Sequence, residues 1–137
     1  MSTLPLTITS ITAILLAALY VFQTFSVIAV RRSAGIPFGH GKDAEDRKLL
    51  KRARGHSNMA EQMPLFLILV GLMEFQGLMP ASALIPLAAL FVIGRALHAI
   101  YFLDIGLTHR LRLFGMLFTL IAQIIAVVLL GIGLLAA

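Results

Sequence analysis

The residues best suited to chemistry lie in one short stretch of the chain. Arg54, Asn58 and Glu61 recur there at positions i, i+4 and i+7. In an α-helix these positions share one face, so a cation, an amide and a carboxylate would point the same way. Pro64 and the apolar residues 65–70 follow directly, which is typical of a helix entering a membrane. Polar groups at such a depth are costly and need partners, so this stripe is a candidate ligand site.

A second apolar segment supplies partners for the stripe. If the two segments form an antiparallel hairpin, Glu61 lies level with Arg95, and Asn58 lies level with His98. Arg95 and His98 are three residues apart, so they share one helical face. The sequence predicts a polar site built from both helices, towards the cytoplasmic side. An alternative stays open, in which a buried Glu61–Arg95 ion pair only neutralises two charges and fixes the helix register.

Cationic residues outnumber acidic ones around this predicted site. Arg54 and Arg95 belong to it, and Arg32 or Arg112 could complete it from the membrane edge, whereas Glu61 is the acidic member. Such an excess of positive charge attracts anions. The expected ligand is therefore small and anionic.

The composition excludes several other kinds of site. Cysteine is absent, so neither a disulfide framework nor a thiolate metal site can form, and thiol chemistry would need an external thiol. The histidines show no metal-ligand spacing, so no metal is expected. Residues 35–42 lack a glycine that a phosphate-binding loop requires.

The basic residues are concentrated beside apolar segments. Of the eleven Lys and Arg, eight lie between positions 31 and 54. This placement indicates that they orient the chain in the membrane and contact anionic head groups rather than bind nucleic acid.

The elements that must position these residues are long apolar helices. Hydrophobic residues make up 60% of the 137 positions, more than soluble domains carry. The prediction is an all-α integral membrane protein with a single domain, residues 1–137, folded as an antiparallel bundle of four transmembrane helices. The predicted spans cover about residues 5–30, 44–76, 83–105 and 111–135.

The distribution of charge also predicts an orientation. The loop after the first span and the Arg110–Arg112 region are the most basic connections, so the positive-inside rule places both in the cytoplasm and both termini outside. The expected location is the inner or plasma membrane, with the first span retained. Glu74 falls near the outer interface, where we expect it to be solvated or to face a neighbouring subunit.

The helix-two stretch resembles a known family signature. The spacing Arg-x-x-x-Asn-x-x-Glu-x-x-Pro, here Arg54, Asn58, Glu61 and Pro64, is similar to that of the MAPEG superfamily, the membrane-associated proteins in eicosanoid and glutathione metabolism. The resemblance extends over the whole chain, through its length, four spans, basic first loop and helix-three arginine. The chain looks like a bacterial-type member that resembles the microsomal glutathione transferases.

The resemblance implies a homotrimer with sites between neighbouring subunits and glutathione as co-substrate. The residues that would bind glutathione are Arg32, Arg54, Asn58, Glu61, Arg95, His98 and Tyr101. A further arginine would stabilise the thiolate, and Arg110 and Arg112 both remain candidates for that catalytic role. The family often carries a tyrosine seven residues after the helix-three arginine, whereas here that position is Phe102.

The resemblance also implies an activity. The leading hypothesis is a glutathione-dependent membrane transferase or peroxidase that conjugates or reduces lipophilic electrophiles arriving from the bilayer. The alternative is a non-catalytic membrane scaffold of the same fold that binds lipids or glutathione. A small four-span exporter is disfavoured because the first span contains no acidic residue.

Overall fold

In the residues that it describes, the computed structural model of the chain consists of α-helices and the short connections between them. The described residues are 6–39, 44–103 and 108–136, and the side chains of residues 44–46 lie outside the description. The chain forms four helices in the order α1 Thr7–Ala34, α2 Ala44–Phe75, α3 Ala81–Phe102 and α4 His109–Ala136.

The helix ends follow local chemistry. α1 continues past the predicted boundary at residue 30 and through Arg31 and Arg32, and it stops at Gly35, whose φ of 64° is left-handed. α3 begins directly after Pro80 and ends at Phe102. The Arg52 side chain donates to the Leu103 carbonyl at 3.3 Å, which stabilises that end. The predicted limits at residues 5 and 105 lie outside the described ranges.

The bundle is centred on α2 and α3. α1 packs against both of these helices, and α4 packs against their other side, so α1 and α4 do not meet within the described ranges. The Phe66 and Phe91 rings stack at 3.8 Å between centroids at the middle of the α2–α3 contact. Around them, all four helices contribute buried apolar side chains to one core: Leu16, Met59, Val70, Met73, Leu84, Leu87, Ala122 and Ala126.

Three of the four helices, α1, α3 and α4, are long and apolar enough to cross a membrane. α2 is the longest helix, with 32 residues, but its first half carries the basic residues and the polar stripe. An aqueous or polar environment suits that half, whereas residues 65–70 are apolar. The chain is therefore a multi-pass membrane protein, and the crossing of α2 remains a prediction.

The helices α3 and α4 touch through their backbones at two glycines. A Cβ atom added at Gly115 would lie 2.6 Å from the His98 nitrogen and 2.8 Å from the Gly94 oxygen. Small residues allow such an approach between membrane helices. The contact matters for the site because His98 lies directly opposite Gly115.

Glu74, which was expected to be solvated or to face a neighbouring subunit, is partly exposed and also makes a contact with α1 that the sequence did not predict. Its carboxylate accepts hydrogen bonds from the backbone nitrogens of Ile8 and Thr9 at 2.7 and 2.8 Å, and from the Thr9 hydroxyl at 2.7 Å. The first backbone donors of a helix need acceptors from outside the helix. Glu74 therefore caps α1 from the end of α2.

We predict that Gly115→Ala destabilises the protein, because the added methyl group forces α3 and α4 apart. Overpacking of this kind costs about 1–3 kcal/mol. Gly131, on the same helix, faces open space and provides the control. Thermal unfolding in detergent should show a lower midpoint for Gly115→Ala and an unchanged or slightly higher one for Gly131→Ala. Equal midpoints would contradict the proposed backbone contact.

Candidate functional site

The polar stripe of α2 faces a cavity of about 500 Å³ between α2, α3 and α4, here called the main cavity. Six of the residues predicted from sequence line it: Arg54, Asn58, Glu61, His98, Tyr101 and Arg112. The other lining residues are Arg47, Leu50, Lys51, Ser57, Phe102 and Met116. The structure thus brings most of the predicted set to one place within a single chain.

Arg95 lies behind the cavity wall rather than on it. It has no exposed surface, and its guanidinium donates to Asn58 Oδ1 at 2.9 Å. The same group lies 3.2 Å from His98 Nδ1 and 3.3 Å from Met59 Sδ. Arg95 therefore holds two wall residues, Asn58 and His98, in fixed positions.

The Glu61–Arg95 ion pair of the alternative interpretation does not form within the chain. Glu61 is exposed, and the hydrogen bonds of Arg95 go to residues one helical turn nearer the start of α2. The contacts of Phe66 with Phe91 and of Gly55 with Phe102 agree with the predicted alignment of α2 and α3. The Arg95 side chain instead extends about one helical turn along α2, to Asn58 and Met59. Glu61 therefore faces the cavity without a cationic partner among the described residues.

Tyr101 connects the cavity to the beginning of α4. Its hydroxyl lies 2.9 Å from His109 Nδ1, and the Lys51 ammonium lies 4.4 Å from the centre of its ring. The phenol is 8% exposed, so its orientation is fixed by these contacts. Phe102 lies beside it on the same wall, with its ring 4.7 Å from that of His98.

The two arginines of α4 occupy different positions. Arg112 lines the main cavity, whereas Arg110 does not. Both line a second cavity of about 410 Å³ at the start of α4, together with His109, Leu113 and Met116. Arg112 and Met116 therefore form a wall that the two cavities share.

Arg32 is separate from this arrangement. It lies exposed in the last turn of α1, and α1 contributes no residue to the main cavity. Its neighbour Arg31 donates to the Ile36 and Gly39 carbonyls and so holds the loop that follows. Within one chain, Arg32 does not join the predicted site.

Two cavity residues, Arg47 and Lys51, were interpreted from sequence as head-group contacts. They continue the stripe of Arg54, Asn58 and Glu61 towards the start of α2, at spacings of four and three residues. That spacing keeps all five side chains on one helical face. The periodicity was visible in the sequence, but proximity to the membrane edge offered a simpler explanation for the two cations.

The charge on the cavity wall is strongly unequal. Among the side chains that the structure describes, one carboxylate, that of Glu61, lines the cavity together with four cations: Arg47, Lys51, Arg54 and Arg112. A concave site with low-dielectric walls concentrates such a field and attracts anions. Within the described ranges, no group of histidine and acidic side chains could hold a metal ion. The arrangement suits an anionic ligand that also carries one positive group.

Comparison with known proteins identifies a family. A family model described as "MAPEG family" matches residues 9–132. The match covers all four helices apart from their outermost residues. No individually curated protein matches the chain at a significant level.

We predict that Asn58 supports the fold as well as the cavity. Asn58→Ala leaves the buried Arg95 guanidinium without one of its acceptors, which should lower the free energy of unfolding by about 1–3 kcal/mol. Ser57→Ala, an exposed change on the same wall, should leave it unchanged. Chemical unfolding in detergent measures both variants. Equal stabilities would show that the Arg95–Asn58 bond contributes nothing net.

Proposed function

We propose that this chain, which belongs to the MAPEG family, is a glutathione-dependent membrane transferase or peroxidase acting on lipophilic electrophiles. The observation that carries the proposal is the main cavity, where the polar stripe of α2 and Arg112 form a cationic wall whose carboxylate, among the described side chains, is Glu61. Glutathione carries two carboxylates, one ammonium group and one thiol. Its charges therefore complement those of the wall.

The proposed ligand contacts follow from the charged side chains that line the main cavity. Glu61 is exposed and receives the α-ammonium group, while Arg54 receives a carboxylate. Asn58 Oδ1 is already occupied by Arg95, so its amide N–H groups remain to donate to the ligand. Arg95 itself is proposed to position the site rather than to touch glutathione.

Arg112 is the proposed thiolate-stabilising residue. The thiolate is the nucleophile, and a nearby cation lowers the pKa of a thiol. Arg112 lines the main cavity and Arg110 does not, which favours Arg112 for this role.

In conjugation, the thiol proton leaves, the sulfur forms a bond to the electrophilic carbon, and the leaving group departs with the displaced electron pair. In peroxide reduction, two glutathione thiols give up two electrons and two protons and form one disulfide, and the cleaved peroxide takes these up to become an alcohol and water.

The proposed assembly is a homotrimer. In one chain the main cavity receives nothing from α1, and Arg32 lies exposed. A neighbouring copy could bring its own Arg32 to the cavity and add another carboxylate contact. The orientation proposed from the charge distribution keeps the basic loops, and with them the mouth of the cavity, in the cytoplasm.

The binding step is testable by calorimetry with purified protein and glutathione. Arg54→Ala should weaken binding roughly tenfold, since it removes a charge-assisted hydrogen bond. Lys48→Ala removes an exposed cation of the same helix that lies outside both cavities, and it should have little effect. Glu61→Gln should weaken the binding of glutathione but not that of its deaminated analogue. The absence of binding at millimolar glutathione would overturn the proposal.

A measurement of turnover distinguishes a transferase from a non-catalytic binding scaffold. With an aryl halide as electrophile, Arg112→Ala should reduce kcat/KM by roughly 100-fold, the scale on which loss of one charge-stabilising group acts. Arg110→Ala should have a much smaller effect. Ultraviolet absorption of the bound thiolate should fall in parallel for Arg112→Ala. Tight binding without any turnover by the unmodified protein would favour the scaffold instead.

A further inference from the structure

The second cavity has a chemical character of its own. His109, Arg110 and Arg112 provide its polar wall, and Leu113 and Met116 provide its apolar wall. Among the described residues, its lining contains no acidic side chain, unlike that of the main cavity, where Glu61 can receive an ammonium group. A ligand of the second cavity should therefore be anionic and should also have an apolar part.

The surface of α4 continues the apolar wall away from the charges. Arg110, Leu113 and Leu117 lie at positions i, i+3 and i+7, with Phe114 beside them on the same face. Leu113 is 66% exposed, Phe114 48% and Leu117 46%. In a membrane helix, such a strip contacts hydrocarbon, and the arginines at its end mark the level of the head groups.

We propose that the second cavity binds the head group of an anionic phospholipid, with its phosphate at Arg110 and Arg112 and an acyl chain along Leu113 and Leu117. Arginine forms paired hydrogen bonds with phosphate oxygens, so a defined arginine–phosphate contact is favoured over diffuse electrostatic attraction. A soluble anion would satisfy the arginines but would leave the apolar wall in contact with water. The bound molecule is therefore a membrane lipid rather than free phosphate.

The shared wall couples this lipid to the main cavity. Arg112 borders both cavities, so a phosphate bound to it competes with an anion in the main cavity for the same guanidinium. Anionic lipid should therefore weaken ligand binding in the main cavity. This coupling rests on the proposed function, whereas lipid binding itself does not, and the two are measured separately.

Lipid binding is tested by native mass spectrometry of protein released from nanodiscs that contain phosphatidylglycerol and phosphatidylcholine. The unmodified protein should retain phosphatidylglycerol preferentially. Arg110→Ala should reduce that preference by roughly fivefold, the contribution of one basic residue near an anionic membrane. Lys48→Ala, which removes an exposed cation outside both cavities, should preserve it. Glycerophosphoglycerol, which lacks acyl chains, should not displace the bound lipid.

Three results would overturn the assignment. One is equal retention of phosphatidylglycerol by Arg110→Ala and by the unmodified protein. Another is displacement by glycerophosphoglycerol, which would assign the cavity to a soluble anion. The third is an altered oligomer mass for Arg110→Ala, which would assign the cavity to a contact between copies of the chain.

Coupling is measured as the ratio of glutathione affinities in nanodiscs with and without phosphatidylglycerol. Negative membranes repel glutathione in any case, so the informative quantity is how this ratio differs between variants. The ratio should move towards one in Arg110→Ala and remain unchanged in Lys48→Ala. Identical ratios in all three proteins would overturn the coupling and leave the lipid result standing.

Discussion

The buried guanidinium of Arg95 is the constraint on which the rest of the structure depends. An arginine without exposed surface in an apolar helix must find acceptors nearby, because its desolvation is otherwise uncompensated. Asn58, Met59 and His98 meet that demand. The requirement fixes how α2 and α3 lie against each other, and it turns the stripe of α2 towards α4. The Gly94–Gly115 contact then brings α4 close enough for Arg112 to reach the same cavity.

The site therefore contains arginines with two different roles. Arg95 is enclosed and orients amide and imidazole groups, whereas Arg54 and Arg112 line the cavity and present their charge to it. Charge that is presented at a cavity can be neutralised by an incoming anion, but charge that is already enclosed cannot. Helices α2, α3 and α4 therefore supply the site together. Its electrostatic potential is set by the exposed cations, and its geometry is set by the buried Arg95.

Much of this organisation could be predicted from the sequence, because helical periodicity and membrane length are strong local signals. The four helices, the shared face of Arg54, Asn58 and Glu61, and the proximity of that face to His98 all follow from spacing. The partner of Arg95 did not follow, since the alignment of the helices gives the level of a residue but not the direction in which a long side chain extends. The capping role of Glu74 was also beyond reach, because its acceptor function depends on a contact across 65 residues of sequence.

That long-range cap has a consequence for how the protein is made. The side chain of Leu6, which precedes α1, cannot cap the helix, and a carboxylate synthesised much later does so instead. While the chain emerges from the ribosome, the Ile8 and Thr9 amides therefore lack this carboxylate acceptor, and isolated helix ends fray. These amides gain the acceptor only when the far end of α2 arrives beside them. We therefore expect the Ile8 and Thr9 amides to become protected from hydrogen exchange when the end of α2 packs against the start of α1.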